Sequence, residues 1–202
     1  MKSSIETPCL ENCALRVSPA ERAARHGHTG LVVWFTGLSG AGKTTLATLL
    51  ERRLFVQGRQ VYLLDGDLLR TGLCSDLGYS NLARRENIRR AGEVARLLAA
   101  AGFIALSAFI SPFRADRDRV RNLLPKGRFI EVFVNAPLDV CEQRDTKGLY
   151  RKARAQLIPE FTGISSPYEA PLAAELELQT DRESVEQCLA RLEACINARL
   201  SG

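Results

Sequence analysis

The chain has 202 residues, 46% of them hydrophobic and 25% charged, with a formal net charge of +5 and a pI near 9. That length suits one α/β domain with a substantial core and is too short for two. No run of 18 apolar residues occurs, which excludes a membrane-spanning helix of the usual kind. The first thirty positions carry charges throughout and no signal-peptide core, so a cytoplasmic protein is expected. Six cysteines form no C-x-x-C pair and have only two histidines beside them, a poor zinc set. The basic excess lies in residues 84–96, 114–121 and 147–154 rather than in one tail. Arginines so placed can serve a small polyanionic substrate, and most of them are expected on solvated helix faces. Neither nucleic acid nor membrane is expected as a partner.

Residues 1–15, with Cys9 and Cys13, show no clear period and read as a flexible lead-in, with the folded domain over 16–202. Ser18, Pro19 and Glu21 then spell a helix start, with Ser18 as N-cap and Glu21 completing a capping box, and the helix should end at Gly27 or Gly30. Residues 31–35, Leu-Val-Val-Trp-Phe, are strand-like, and 43–57 read as a helix. Between them, residues 37–45 (Gly-Leu-Ser-Gly-Ala-Gly-Lys-Thr-Thr) fit G-x-x-x-x-G-K-[ST], with Gly37, Gly42, Lys43 and Thr44 in the fixed places. A glycine turn from strand to helix lets backbone N–H groups approach a triphosphate with no Cβ in the way. Ser39, Gly40, Ala41 and Thr45 complete the expected ATP cradle; Lys43 would reach the β- and γ-phosphates and the Thr44 hydroxyl would ligate Mg²⁺.

A second strand over 60–64 ends in Asp65-Gly66-Asp67, two carboxylates at the edge where parallel sheets bind ligands. Ile88, Ala91, Val94, Ala95, Leu98 and Ala101 recur at helical spacing over 81–101, with Arg85, Arg89 and Arg96 opposite and Gly102 as the stop. A third strand, 104–110, runs into Ser111-Pro112, followed by a helix over 115–124, a strand over 128–134 and, after Pro137, a short helix to Arg144. Residues 145–171 are irregular and rich in charge, Gly and Pro, as lids often are. A last strand over 175–180 and an amphipathic helix over 184–200, with Cys188 and Cys195 on its apolar face, close the chain. The alternation predicts a P-loop NTPase-like, three-layer α/β/α fold around a mostly parallel five-stranded sheet. The glycine loop, the Asp65/Asp67 pair and Ser111 would then converge on one cleft at its carboxyl edge.

No N-K-x-D guanine motif is present, and the third strand ends in Phe-Ile-Ser-Pro rather than in a Walker-B aspartate. Carboxylates after strand two suit a small-molecule kinase, in which they hold Mg²⁺ waters and orient an acceptor hydroxyl.

Six runs in order carry a resemblance: residues 34–45, Leu-Asp-Gly-Asp at 64–67, Arg-Glu-Asn-Ile-Arg-Arg at 85–90, Phe-Ile-Ser-Pro-Phe-Arg-Ala-Asp-Arg-Asp at 109–118, Lys-Gly-Leu-Tyr-Arg-Lys-Ala-Arg at 147–154 and Phe-Thr-Gly-Ile-Ser-Ser-Pro-Tyr-Glu-Ala-Pro at 161–171. Over about residues 16–200 the chain resembles the adenylylsulfate kinase (APS kinase) family. The resemblance implies transfer of the ATP γ-phosphate to the ribose 3′-hydroxyl of adenosine 5′-phosphosulfate (APS), giving 3′-phosphoadenosine 5′-phosphosulfate and ADP. It places Arg70, Arg84 and Asn87 in the sulfonucleotide site with Ile110 and Ser111 nearby. Adenine would stack between Tyr79 and Phe161, although Phe161 also reads as core packing. Lys147 belongs to a lid over the substrate, with a solvated lysine as the plainer reading, and Arg144 is a candidate against the ATP adenine. Asp67 is assigned to the acceptor hydroxyl and Asp65 to Mg²⁺, two roles that could be exchanged. Ser111 has two readings: a phosphoserine intermediate, or substrate binding alone, since no base fixed by spacing is evident. A homodimer and docking to an ATP sulfurylase are further implied partners. Two positions depart from the family pattern: Ala83 where Asp is usual, and Thr146 where Pro is common. The rivals are another small-molecule P-loop kinase, such as a gluconate, shikimate or nucleoside kinase, and a non-catalytic nucleotide-binding module.

Overall fold

The structure, a computed structural model, describes residues 17–200; the lead-in with Cys9 and Cys13 lies outside the described residues. Helix α1 (Pro19–His26) begins as its sequence predicts. The Ser18 amide donates to Glu21 Oε2 (2.8 Å), the Glu21 amide donates back to Ser18 Oγ (3.2 Å), and Gly27 closes the helix at φ 70°. The chain continues through β1 (Leu31–Thr36), α2 (Lys43–Val56), β2 (Val61–Asp65), α3 (Gly66–Arg70), α4 (Asn81–Ala100), β3 (Ile104–Ala108), α5 (Arg114–Arg121), β4 (Phe129–Asn135), α6 (Leu138–Arg144), α7 (Leu149–Arg154), β5 (Leu176–Gln179) and α8 (Val185–Leu200).

The strands form one sheet in the order β2-β3-β1-β4-β5, and every pairing is parallel. Strands β1 and β3 are buried along their whole length, as expected of central parallel strands covered on both faces. Alternate residues serve opposite layers. Leu31, Val33 and Phe35 pack with Leu46, Leu50 and Leu54 of α2 and Leu189, Leu192 and Ile196 of α8. Val32 and Trp34 pack with Ile88, Ala91 and Ala95 of α4 and Val120 of α5. Helices α2 and α8 therefore cover one face and α4 and α5 the other, the three-layer arrangement that the βα alternation predicts.

The differences from the sequence reading are local. Strand β3 stops at Ala108 rather than residue 110: the Phe109 amide still donates to Phe35 O (3.2 Å), and the chain then leaves the sheet through Ile110 to Ser111, which takes φ 39°. Helix α5 spans Arg114–Arg121, with Asn122 at its C-cap, rather than 115–124. Two short helices went unread. Asp65 is the N-cap of α3, and α7 forms within the otherwise irregular residues 145–171. Arg117 departs from the expectation of solvated arginines, being only 2% exposed.

Candidate active site

Register sets the site. Asp65 pairs with Ala108, and Ala108 pairs with Phe35, so the chain leaves β1, β2 and β3 at one level of the sheet. The segments that follow line a cleft of about 1350 Å³. It takes in every candidate site residue except Gly37 and Ala41, which are buried and do not line it. A second depression of about 620 Å³, beside Leu38, Leu138 and residues 163–168, has no charged side chain in its lining.

One end of the cleft is the glycine loop. At Gly37 (φ 147°) a Cβ would lie 2.3 Å from the Val134 carbonyl oxygen, and at Gly40 (φ 77°) 2.8 Å from that of Cys141, so both close approaches require glycine. Gly42 caps α2 with no side chain bound to the helix's first amides, leaving them for an anion. Lys43 is buried, and its Nζ donates to the carbonyls of Gly37 (3.0 Å) and Leu38 (2.7 Å). Burial lowers its pKa to about 8, against smaller upward pulls that include Asp65 and Asp67. Thr44 Oγ1 donates to Asp65 Oδ2 (2.9 Å), and Asp65 Oδ1 accepts the Asp67 amide (2.9 Å).

That Thr44–Asp65 pair fits Mg²⁺. Among the described residues no group of three or more His, Cys, Asp or Glu side chains could hold a metal. The ion would therefore take phosphate oxygens and water beside the protein groups, which is its ordinary habit with nucleotides. Sequence reasoning missed the residues that brace the loop from behind. Tyr150 of α7 donates to the Ser39 carbonyl (2.9 Å), and Thr180 Oγ1 donates to that of Ala41 (2.8 Å). Arg144 donates to Thr180 O (2.6 Å) and Oγ1 (3.1 Å) and reaches Gly40 O at 3.4 Å, so it borders the loop.

The other end of the cleft is cationic and polar. Arg70 donates to the carbonyls of Leu77 (3.2 Å) and Gly78 (3.0 Å), with its guanidinium 4.4 Å from the centre of the exposed Tyr79 ring. Arg84 donates to Tyr79 O (2.8 Å), Glu160 O (2.6 Å) and Thr162 Oγ1 (2.6 Å), tying α4 to residues 160–162. Asn87, one turn along α4, is buried and its Oδ1 has no hydrogen-bond partner, so an acceptor stands unclaimed in the cleft wall. Phe161 is buried edge-on against Tyr150 (5.0 Å), as core packing implies, and it also lines the cleft.

Between the two ends, Lys147 forms an ion pair with Asp67, and that hydrogen bond is the chief cause of a raised lysine pKa. Ser111 is buried at the cleft's edge after Ile110; its Oγ accepts from the Trp34 indole (3.1 Å), and no base is bonded to it.

Against this geometry, a sequence profile described as adenylylsulphate kinase matches residues 29–179. The chain belongs to the adenylylsulphate kinase family. An adenylyl-sulfate kinase of Shewanella amazonensis is 60% identical over 176 residues, covering 87% of this chain and 89% of the relative. The APS kinase of Mycobacterium tuberculosis, solved in complex with AMPPNP and APS, superposes with a TM-score of 0.80 at 46% identity, over 84% of this chain and 98% of that one. A hexameric APS kinase from Thiobacillus denitrificans matches at TM-score 0.65 and 32% identity, over 89% of this chain and 31% of that longer one. Among the described residues no helix is long and apolar enough to cross a membrane.

Proposed function

We propose that the chain is an ATP-dependent adenylylsulfate kinase, transferring the γ-phosphoryl group of ATP to the ribose 3′-hydroxyl of APS. The carrying observation is a single cleft with a phosphate cradle at one end, an arginine- and amide-lined pocket at the other and the Asp67–Lys147 pair between them. Lys43 and the α2 amides hold the triphosphate, and Arg144 borders its base. Thr44 and, through water, Asp65 would hold Mg²⁺, which would supply neutralisation of charge on the transferring phosphate. Arg70, Arg84 and Asn87 take the sulfonucleotide, with forked guanidinium donors suited to its oxyanions. Tyr79 and Phe161 supply the faces against which adenine stacks. Asp67 accepts the hydrogen bond of the 3′-hydroxyl and aims its oxygen at phosphorus. Residues 145–171 act as a lid whose Lys147 leaves Asp67 when the acceptor arrives and excludes water.

Ser111 binds substrate rather than carrying phosphate, because its hydroxyl is engaged by Trp34 and has no neighbouring base. The domain is proposed to span 16–202, to work in the cytoplasm as a homodimer and to be open to docking by an ATP sulfurylase. Sedimentation of the purified chain, alone and with a sulfurylase, tests the assembly. The activity is tested by coupled ADP release with ATP, Mg²⁺ and APS, beside gluconate, shikimate and adenosine, with Lys43→Ala as blank. Turnover confined to APS is expected; turnover on another acceptor, with none on APS, would overturn the reading.

A further inference from the structure

Helix α5, Arg-Ala-Asp-Arg-Asp-Arg-Val-Arg, is written almost wholly in charge, yet Arg117 from its middle is 2% exposed. A buried guanidinium is tolerated only where its donors are matched. Here Nε donates to Glu131 Oε1 (2.6 Å), Nη1 to the Ser111 carbonyl (2.7 Å) and Nη2 to the Glu169 carbonyl (2.7 Å). Glu131 is itself buried and is the one charged residue of β4; its other oxygen accepts from Arg121 (3.0 Å), which also pairs with Glu175 (2.6 Å).

The two carbonyls give this ion pair a direction. Ser111 is a non-glycine residue at φ 39°, a conformation that persists only where the surroundings over-determine it. Thr36 Oγ1 holds the preceding Ile110 carbonyl (2.8 Å), and Arg117 holds that of Ser111. Glu169 lies near the far end of the lid stretch. Its amide donates to Pro112 O (2.8 Å), and its Oε2 accepts the Arg114 amide (2.8 Å). Arg117 therefore stands where the Ser111 turn and the base of the lid meet, and none of its partners belongs to the glycine loop.

We propose that Arg117 is a positioning residue for the acceptor half of the site: it fixes the strained Ser111 turn against the lid's base, and so sets APS binding while leaving ATP binding alone. This rests on the APS reading above. Arg117→Lys keeps a charge opposite Glu131 but cannot fork to both carbonyls. The neutral pair Arg117→Gln/Glu131→Gln is carried beside it, since it leaves no unpaired buried charge should the lysine variant fail to fold. Wild type and variants are compared for the KM of each substrate and for Tm. The expected result is a KM for APS raised about tenfold, the equivalent of ~1.4 kcal/mol, with the KM for ATP within about twofold. A lowered Tm with neither KM changed, or with both raised together, is what a merely structural ion pair gives and would overturn the proposal. Wild type without turnover on APS would instead overturn the functional reading, a separate outcome.

Discussion

Lys43 makes the nucleotide site sensitive to pH in a direction that can be worked out. Burial holds its pKa near 8 in the free protein, outweighing the pull of Asp65 and Asp67, while its ammonium donates to two carbonyl oxygens. A bound triphosphate places negative charge beside it and drives the pKa back up. Binding must therefore take up protons once the free lysine begins to deprotonate. If the bound value returns to the usual 10.5, uptake is about 0.5 proton at pH 8 and about 0.9 at pH 9, and ATP affinity falls about twentyfold between pH 7.5 and 9.5. Terminal phosphate ionisation lies below this window and contributes little. Calorimetry of a non-hydrolysable ATP analogue with Mg²⁺, in buffers of differing ionisation enthalpy, reads the proton count directly. Lys43→Met retains the stem and removes the titrating group, so its affinity should be weaker at pH 7.5 and flat above it. Wild-type affinity independent of pH, or a slope that survives in Lys43→Met, would refute the reasoning.

Other outcomes follow from other parts of the molecule. His28 is buried, with Nε2 accepting the Gln60 amide (3.0 Å) and Nδ1 donating to Thr29 O (3.0 Å), and burial lowers its pKa from 6.5. The unfolded chain then binds more protons than the folded one, so this contribution to stability is complete above pH 6.5 and is lost as pH falls through the lower folded value. Tm measured from pH 7.5 to 5 should fall less steeply in His28→Gln than in wild type. Ala83→Asp adds an acid to the first turn of α4, which has none, near Arg84. It should stabilise the helix by about 0.3–1 kcal/mol and change APS affinity more than the KM for ATP, as titration and kinetics would show. Lys147→Ala should lower kcat and raise ATP hydrolysis relative to transfer to APS. Because both members of the Lys147–Asp67 pair are largely exposed, thermal melts should register less than about 1 kcal/mol of lost stability.

What was legible in the sequence was what is locally determined. The capping box at Ser18, the strand–glycine loop–helix unit and the alternation of apolar runs each depend on neighbours a few residues away. Strand order was not legible, nor were α3 and α7, which are five and six residues long and too short to show a period. The elements of the cleft could be placed on one edge from topology alone. The pairings within it could not, because Thr44–Asp65, Tyr150–Ser39 and Arg84–Glu160 each join residues 21 or more positions apart. Arg117 was hidden for the same reason: a charged helix reads as solvated when its partners lie on other elements. One signal was available. Glu131 interrupts the otherwise apolar start of β4, and a carboxylate there needs a buried cation.

The central claim is that this cleft delivers phosphorus to one particular oxygen, held by Asp67. Phosphate transfer from ATP to APS analogues lacking either the 2′- or the 3′-hydroxyl, followed by ³¹P NMR of the products, tests it directly. The account predicts that the 2′-deoxy analogue is phosphorylated at the 3′ position and that the 3′-deoxy analogue yields no transfer product. Phosphorylation of the 3′-deoxy analogue, or wild-type turnover retained in Asp67→Asn, would contradict it.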